Sequence, residues 1–203
     1  MIAFFEDRRA PAGDPAAWLF ERHFSLLEVV DRNTLDNTLQ QLDSEPAWTV
    51  VALEYELGYL LEPHSAPPGW QPDGRALARF WRFRERTEMS AEAADQWLAD
   101  NAPGHPAGIA SWRETIDENA YLVAVDRVKT LISAGDCYQV NFTFPIEFDW
   151  FGVPLDLYTR LRQRQPVRYG GFVGDARQGI VSLSPELFVE RRGDRLLTRP
   201  MKG

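Results

Sequence analysis

Cysteine is nearly absent: Cys137 is alone in 203 residues, which excludes an internal disulfide framework and suits a reducing cytoplasm. A lone thiol in such a chain is expected to be a small buried side chain. Histidine is scarce too, and His23, His64 and His105 are too scattered to offer metal-ligand spacing. No apolar run approaches the length of a membrane-crossing helix. The opening MIAFFEDRRAP turns charged at once, unlike a secretory leader. Basic side chains are outnumbered, 22 Lys and Arg against 30 Asp and Glu, for a formal charge of −8. That sign repels phosphate backbones and anionic lipid, so neither nucleic acid nor a membrane is an expected partner. Internal repeats and low-complexity tracts are also missing. What is present is a globular composition, 44% hydrophobic and 12% aromatic with seven tryptophans, enough to bury a core. A soluble, cytoplasmic protein is the expectation.

Hydrophobic spacing lays out the elements. IAFFED reads as a short strand, and Leu35, Leu39 and Leu42 follow a polar start at Asn33 with helical spacing. WTVVALEYELGYLLEP reads as a strand-like run with Gly58 at a bulge or close backbone approach. Pro63 to Gly74 is loop, LARFWRFRER a strand, and Ser90 the cap of a helix through Ala99. Ser111 and Glu114 fit a capping box for a helix striped by Tyr121, Val125, Val128 and Ile132 and closed by Gly135. In CYQVNFTFPIEF, Tyr138, Val140, Phe142, Phe144, Ile146 and Phe148 alternate with polar residues, which predicts a strand with Gln139, Asn141 and Thr143 on one face. Pro154 opens a helix with Leu157, Tyr158 and Leu161 inward, and GIVSLSPE is a further strand. Interspersed helices and antiparallel strands predict an α+β fold.

The segment SPELFVERRGDRLLTRPMKG, Ser184 to Gly203, reads as a hairpin turning at Gly193 and Asp194. A two-residue loop sets Glu186 opposite Met201, and a three-residue loop sets it opposite Lys202. Either register brings a carboxylate and an amine to one end of the hairpin. From geometry alone the pair is an ordinary surface ion pair or a chemical site. For chemistry, a nucleophilic lysine must shed its proton, with Arg192, Arg195 and Arg199 as candidate cations to depress its pKa. A glutamic general acid needs burial that raises its pKa.

Three blocks then become recognisable: LISAGDCYQVNFT at Leu131–Thr143, SLSPELFVERRGD at Ser182–Asp194 and TRPMKG at Thr198–Gly203. In order and content they resemble the chorismate-utilising enzymes, which include anthranilate synthase component I, aminodeoxychorismate synthase component I, and the isochorismate and salicylate synthases. ALEYELGYLLEP is similar to the N-terminal region of the aminodeoxychorismate synthases. The resemblance implies part of a two-sheet, helix-flanked α+β fold. Water-adding members carry a lysine base where this chain has Gln139, so Gln139 resembles the ammonia-using branch. Within that branch the aminodeoxychorismate synthases resemble PIKGT, and PMKG places Lys202 in their nucleophile position. Anthranilate synthases have alanine there. Glu186 falls on the family glutamate that protonates the departing C4 hydroxyl, and Gly203 lines the site beside Lys202.

The resemblance further implies Mg²⁺, a glutamine amidotransferase subunit that supplies ammonia, and a fused or separate aminodeoxychorismate lyase. The product is 4-amino-4-deoxychorismate, on the way to 4-aminobenzoate and folate. Anthranilate synthase component I and a non-catalytic amidotransferase-binding module are the alternatives. By the same resemblance the chain is a single incomplete domain, with 1 to about 100 an N-terminal subdomain and about 108 to 203 the start of the chorismate-binding module. The Mg²⁺ ligands are expected beyond residue 203, and the chain alone is expected to be inactive, with apolar edges uncovered. A tryptophan pocket found in some relatives corresponds to FFED, with Asp7 in place of serine, and QPVRYGGF, with Gln165 in place of asparagine. A carboxylate there repels an amino acid's own, so tryptophan feedback is not expected. Plain scaffold is the other reading of both segments.

Overall fold

The structure, a computed structural model, describes residues 1–102 and 104–199. It forms two compact units, one of Met1–Gly104 with the chain from Val153 onward, the other of His105–Gly152. Every strand pairing is antiparallel and helices alternate with strands, so the fold is α+β.

The first unit is built on β1 (Ile2–Asp7), which has no exposed residue, as in a strand covered on both faces. β1 lies between β2 (Ala17–Val29) and a late strand, β7 (Tyr169–Gly174), in a sheet that runs β3-β4-β2-β1-β7-β8. The other members are β3 (Trp48–Leu53), β4 (Ala78–Met89) and β8 (Gly179–Ser184). On the face of Phe4, the helices α3 (Ala91–Asn101) and α5 (Pro154–Arg164) bury Leu98, Leu155 and Tyr158 against Leu19 and Phe172. Farther along β2 and β4, α1 (Arg32–Ser44) and the one-turn α2 (Leu57–Leu61) enclose Val29, Leu35, Leu57 and Phe80. Ala3, Val50, Trp81, Phe83 and Val173 form a further cluster around the alternate positions of β1.

Local chemistry sets the helix ends. Asp31, rather than Asn33, caps α1: its carboxylate accepts from Thr34 N–H at 2.7 Å while the Thr34 hydroxyl accepts from Asp31 N–H at 2.9 Å. Ser90 caps α3 and Pro154 starts α5, as their sequence signals predict. Gly58 is not at a bulge. It sits inside α2, because the β3 ladder stops at Leu53 and the chain turns helical before the loop.

One polar cluster is sealed between β1, α3 and α5. The Glu6 side chain, 3% exposed, accepts both arms of Arg162 at 2.7 Å and the Tyr158 hydroxyl at 2.8 Å. Arg162 also reaches Asp95 on α3 at 2.8 Å. Burial, reinforced by the Glu6 charge, pushes the Tyr158 phenol far above its usual range, and the Glu6 bond holds Arg162 protonated. Gly170 passes so close that a Cβ would overlap the Tyr158 hydroxyl and stand 2.7 Å from Glu6 Oε1.

In the second unit, β5 (Gly108–Glu114) pairs with β6 (Ile146–Phe151), and α4 (Glu118–Ala134) lies between them in sequence. The Ser111–Glu114 capping box does not form. Both residues stay in β5: Glu114 pairs with Ile146 of β6, while Ser111 sits at a bulge between the paired Ala110 and Arg113 with φ 48°, and Asp117 caps α4 through Ala120 N–H at 2.7 Å. Gly135 closes α4 with φ 82°, as expected.

The alternating strand is also corrected: only Ile146–Phe151 of that pattern is strand, and 137–145 is irregular. Alternation supplies two faces but not a backbone partner. Here Phe142 and Phe144 turn instead onto Tyr121 of α4, at ring separations of 5.9 and 6.1 Å. Cys137 is half-buried rather than enclosed, since that segment has no packed layer over it. No residue of α4 is buried, and Tyr121 and Ile132 of its stripe are each 41% exposed.

Candidate active site

The serine, proline and glutamate of SPE form an elbow between the main sheet and the hairpin. β8 ends at Ser184, whose Oγ accepts from Glu186 N–H at 3.3 Å and donates to the Glu186 carbonyl at 3.0 Å. Pro185 has no N–H with which to extend the ladder, so the chain leaves the sheet there. It continues as β9 (Leu187–Arg192), which forms a separate two-stranded sheet with β10 (Arg195–Arg199). The backbone of Glu186 is thereby pinned and its side chain is exposed.

The hairpin takes the two-residue loop of the two registers that the sequence allows. Gly193 adopts φ 60°, Arg192 faces Arg195, and Glu190 faces Leu197. The register then slips by one, so that Arg199 faces Leu187. The last described pair thus stands one residue from Glu186. Lys202 and Gly203 lie outside the described residues. Gln139 is exposed in the irregular segment of the second unit, whereas Glu186 belongs to the first. Among the described residues, no group of three or more His, Cys, Asp or Glu is placed to hold a metal ion.

Beside the elbow is a cavity of about 520 Å³, lined by Asp7, Trp18, Tyr169, Leu187 and Glu190 among others. Asp7 and Tyr169 belong to the two segments that resemble a tryptophan pocket, and they meet because β1 pairs with β7, Asp7 opposite Tyr169. Gln165 lies at the end of α5 and does not line this cavity. The Asp7 carboxylate is held by Arg168 through two bonds of 2.7 Å, and Arg168 stacks 5.0 Å over Tyr169. Burial works to raise the Asp7 carboxyl, but the bonds from Arg168 and from Arg9 N–H prevail and hold it below the usual range.

A carboxyl depressed on folding stabilises the protein above the ordinary carboxylate value, and that stability is lost as pH falls through the folded value. Asp7→Asn in the full-length protein is therefore expected to cost about 1–3 kcal/mol at pH 7. Urea unfolding at pH 7 and pH 3 should show the gap from wild type narrowing in acid. Asp7 and Arg168 stand 161 positions apart in the sequence. Only the long-range β1–β7 pairing makes them partners.

The chain's residues 14–203 match the family model described as chorismate binding enzyme, and the chain belongs to that family. Two kinds of relative share it. Anthranilate synthase component 1 of Thermus thermophilus is 32% identical over 158 residues, 76% of this chain and 31% of its own length. Aminodeoxychorismate synthase component 1 of Bacillus subtilis is 31% identical over 118 residues, 56% of this chain and 25% of its own. That of Salmonella typhimurium is 29% identical over 116 residues, 56% of this chain and 26% of its own. The chain therefore spans about a quarter to a third of these curated relatives.

Proposed function

We propose that the protein carrying this chain is an aminodeoxychorismate synthase component I, which converts chorismate and ammonia to 4-amino-4-deoxychorismate. The observation that carries the reading is Lys202 in TRPMKG, where the resemblance gives aminodeoxychorismate synthases a nucleophilic lysine and anthranilate synthases alanine. Gln139 supports it, since an amide cannot deprotonate water for a hydroxylating reaction. In the first displacement, a bond forms from Lys202 Nζ to the ring and the C4–O bond breaks. Glu186 gives its proton to the departing hydroxyl, which leaves as water. In the second, ammonia bonds to C4, the Nζ–ring bond breaks, and the lysine leaves with a proton. Ammonia comes from a glutamine amidotransferase subunit. The Mg²⁺ that the resemblance implies would hold the substrate carboxylate, with ligands expected outside the described residues. A cytoplasmic location and a fused or separate lyase belong to the same proposal.

Anthranilate synthase component I is the second reading, favoured by the Thermus thermophilus relative, whose match covers 76% of the chain. Product identification separates the two. The full-length protein with chorismate, ammonium and Mg²⁺ is expected to release 4-amino-4-deoxychorismate. Release of anthranilate as the main product would overturn the proposal.

A further inference from the structure

We infer that the first unit carries a second small-molecule site, away from the Glu186 elbow, built to take a planar aromatic carboxylate. It begins with an irregularity in β2. Arg22 has φ 55°, in the left-handed region that a side chain rarely adopts, and Phe24 is an extra residue between the pairs His23–Phe83 and Ser25–Arg82. The bulge carries Phe24 across β4, where the Arg84 guanidinium lies 4.5 Å from its ring centre and that of Arg82 lies 5.1 Å away. A cleft of about 500 Å³ opens there, walled by Phe24, Trp48, Phe83 and Arg84. That volume suits a one- or two-ring molecule.

Charge identifies the ligand. Three carboxylates on or beside these strands are engaged: Glu45 by Arg82 at 3.0 Å, Glu85 by Arg22 at 2.9 Å, and Glu88 by Arg86. Arg86 also caps the Trp48 ring at 4.0 Å. Arg84, exposed at the wall of the cleft, has no carboxylate partner among the described residues. In a chain of net charge −8, a guanidinium with no carboxylate partner beside the exposed rings of Phe24 and Trp48 is complementary to an anion with a flat apolar body. The carboxylate would take the Arg84 fork and the ring would stack within the aromatic walls.

The test titrates 2-naphthoate into the full-length protein by calorimetry, with 2-naphthamide as the neutral comparator. Naphthoate is expected to bind, naphthamide about tenfold more weakly or less, and Arg84→Gln to lower naphthoate affinity about tenfold or more. Arg84→Lys, which keeps the charge and loses the planar fork, should fall between. Chorismate should not displace naphthoate, and Arg84→Gln should leave chorismate turnover within about twofold of wild type. No binding up to about 5 mM, binding that survives Arg84→Gln, or displacement by chorismate would each overturn the inference. Because binding is read apart from turnover, failure here leaves the proposed reaction standing, and the reverse also holds.

Discussion

Lys202→Ala in the full-length protein is expected to lower formation of 4-amino-4-deoxychorismate by about 10³-fold or more, the scale on which removal of a covalent nucleophile acts. At its reference pKa only about one lysine in a few thousand is neutral at pH 7, so the reaction depends on an environment that releases the proton. The hairpin narrows where that environment comes from. Arg192 is engaged by Asp14 at 2.9 Å and by Glu190, so its charge is already compensated. Arg195 and Arg199 are the remaining cations of the three. Steady-state assays of wild type and variant, with products separated by chromatography, check the expectation. Formation of 4-amino-4-deoxychorismate at the wild-type rate would remove Lys202 from the nucleophile's role.

The second large effect is on stability. Arg162→Ala is expected to destabilise the full-length protein by about 3–5 kcal/mol, because it leaves a carboxylate in the interior without its cation. The Glu6 side chain is 3% exposed, and after the change only the Tyr158 hydroxyl would remain of its side-chain donors described here. The backbone of Gly170 closes one side of the carboxylate, where a Cβ would stand 2.7 Å from Glu6 Oε1. Replacing both partners, Glu6→Gln with Arg162→Met, should cost less than the single change, since no charge is then stranded. Urea denaturation of the three proteins measures the difference. Equal stability of Arg162→Ala and wild type would show that the cluster does not hold α5 to the sheet.

Much of this was legible in the sequence, and the exceptions share a cause. The α+β class, the strand IAFFED, the helix capped by Ser90, the Pro154 helix and the closing hairpin all follow from signals a few residues long. The glutamate of SPE was identified by resemblance, and Ser184 gives it a local anchor that the motif does not advertise. What failed depended on distant partners. Ser111 and Glu114 carry the right chemistry for a cap, but β5 pairs with β6 through Glu114 and bulges at Ser111, so the helix starts later. Tyr138 to Phe144 carry a strand's alternation, yet Phe142 and Phe144 fold onto Tyr121 of α4 and Tyr138 is exposed. Asp7 with Arg168, and Glu6 with Arg162, join residues more than 150 positions apart. No local pattern announces such a pairing, since it depends on β7 returning beside β1 and α5 packing behind them.

The central claim is that Glu186 and Lys202 act as acid and nucleophile in one ring substitution. Its most direct test is the mass of the full-length protein after incubation with chorismate and Mg²⁺ in the absence of ammonia. The expected result is an adduct equal to chorismate less one water, located on the peptide containing Lys202, reduced by Glu186→Gln and discharged when ammonium is added. Turnover to 4-amino-4-deoxychorismate with no adduct on Lys202 under rapid quenching would contradict it.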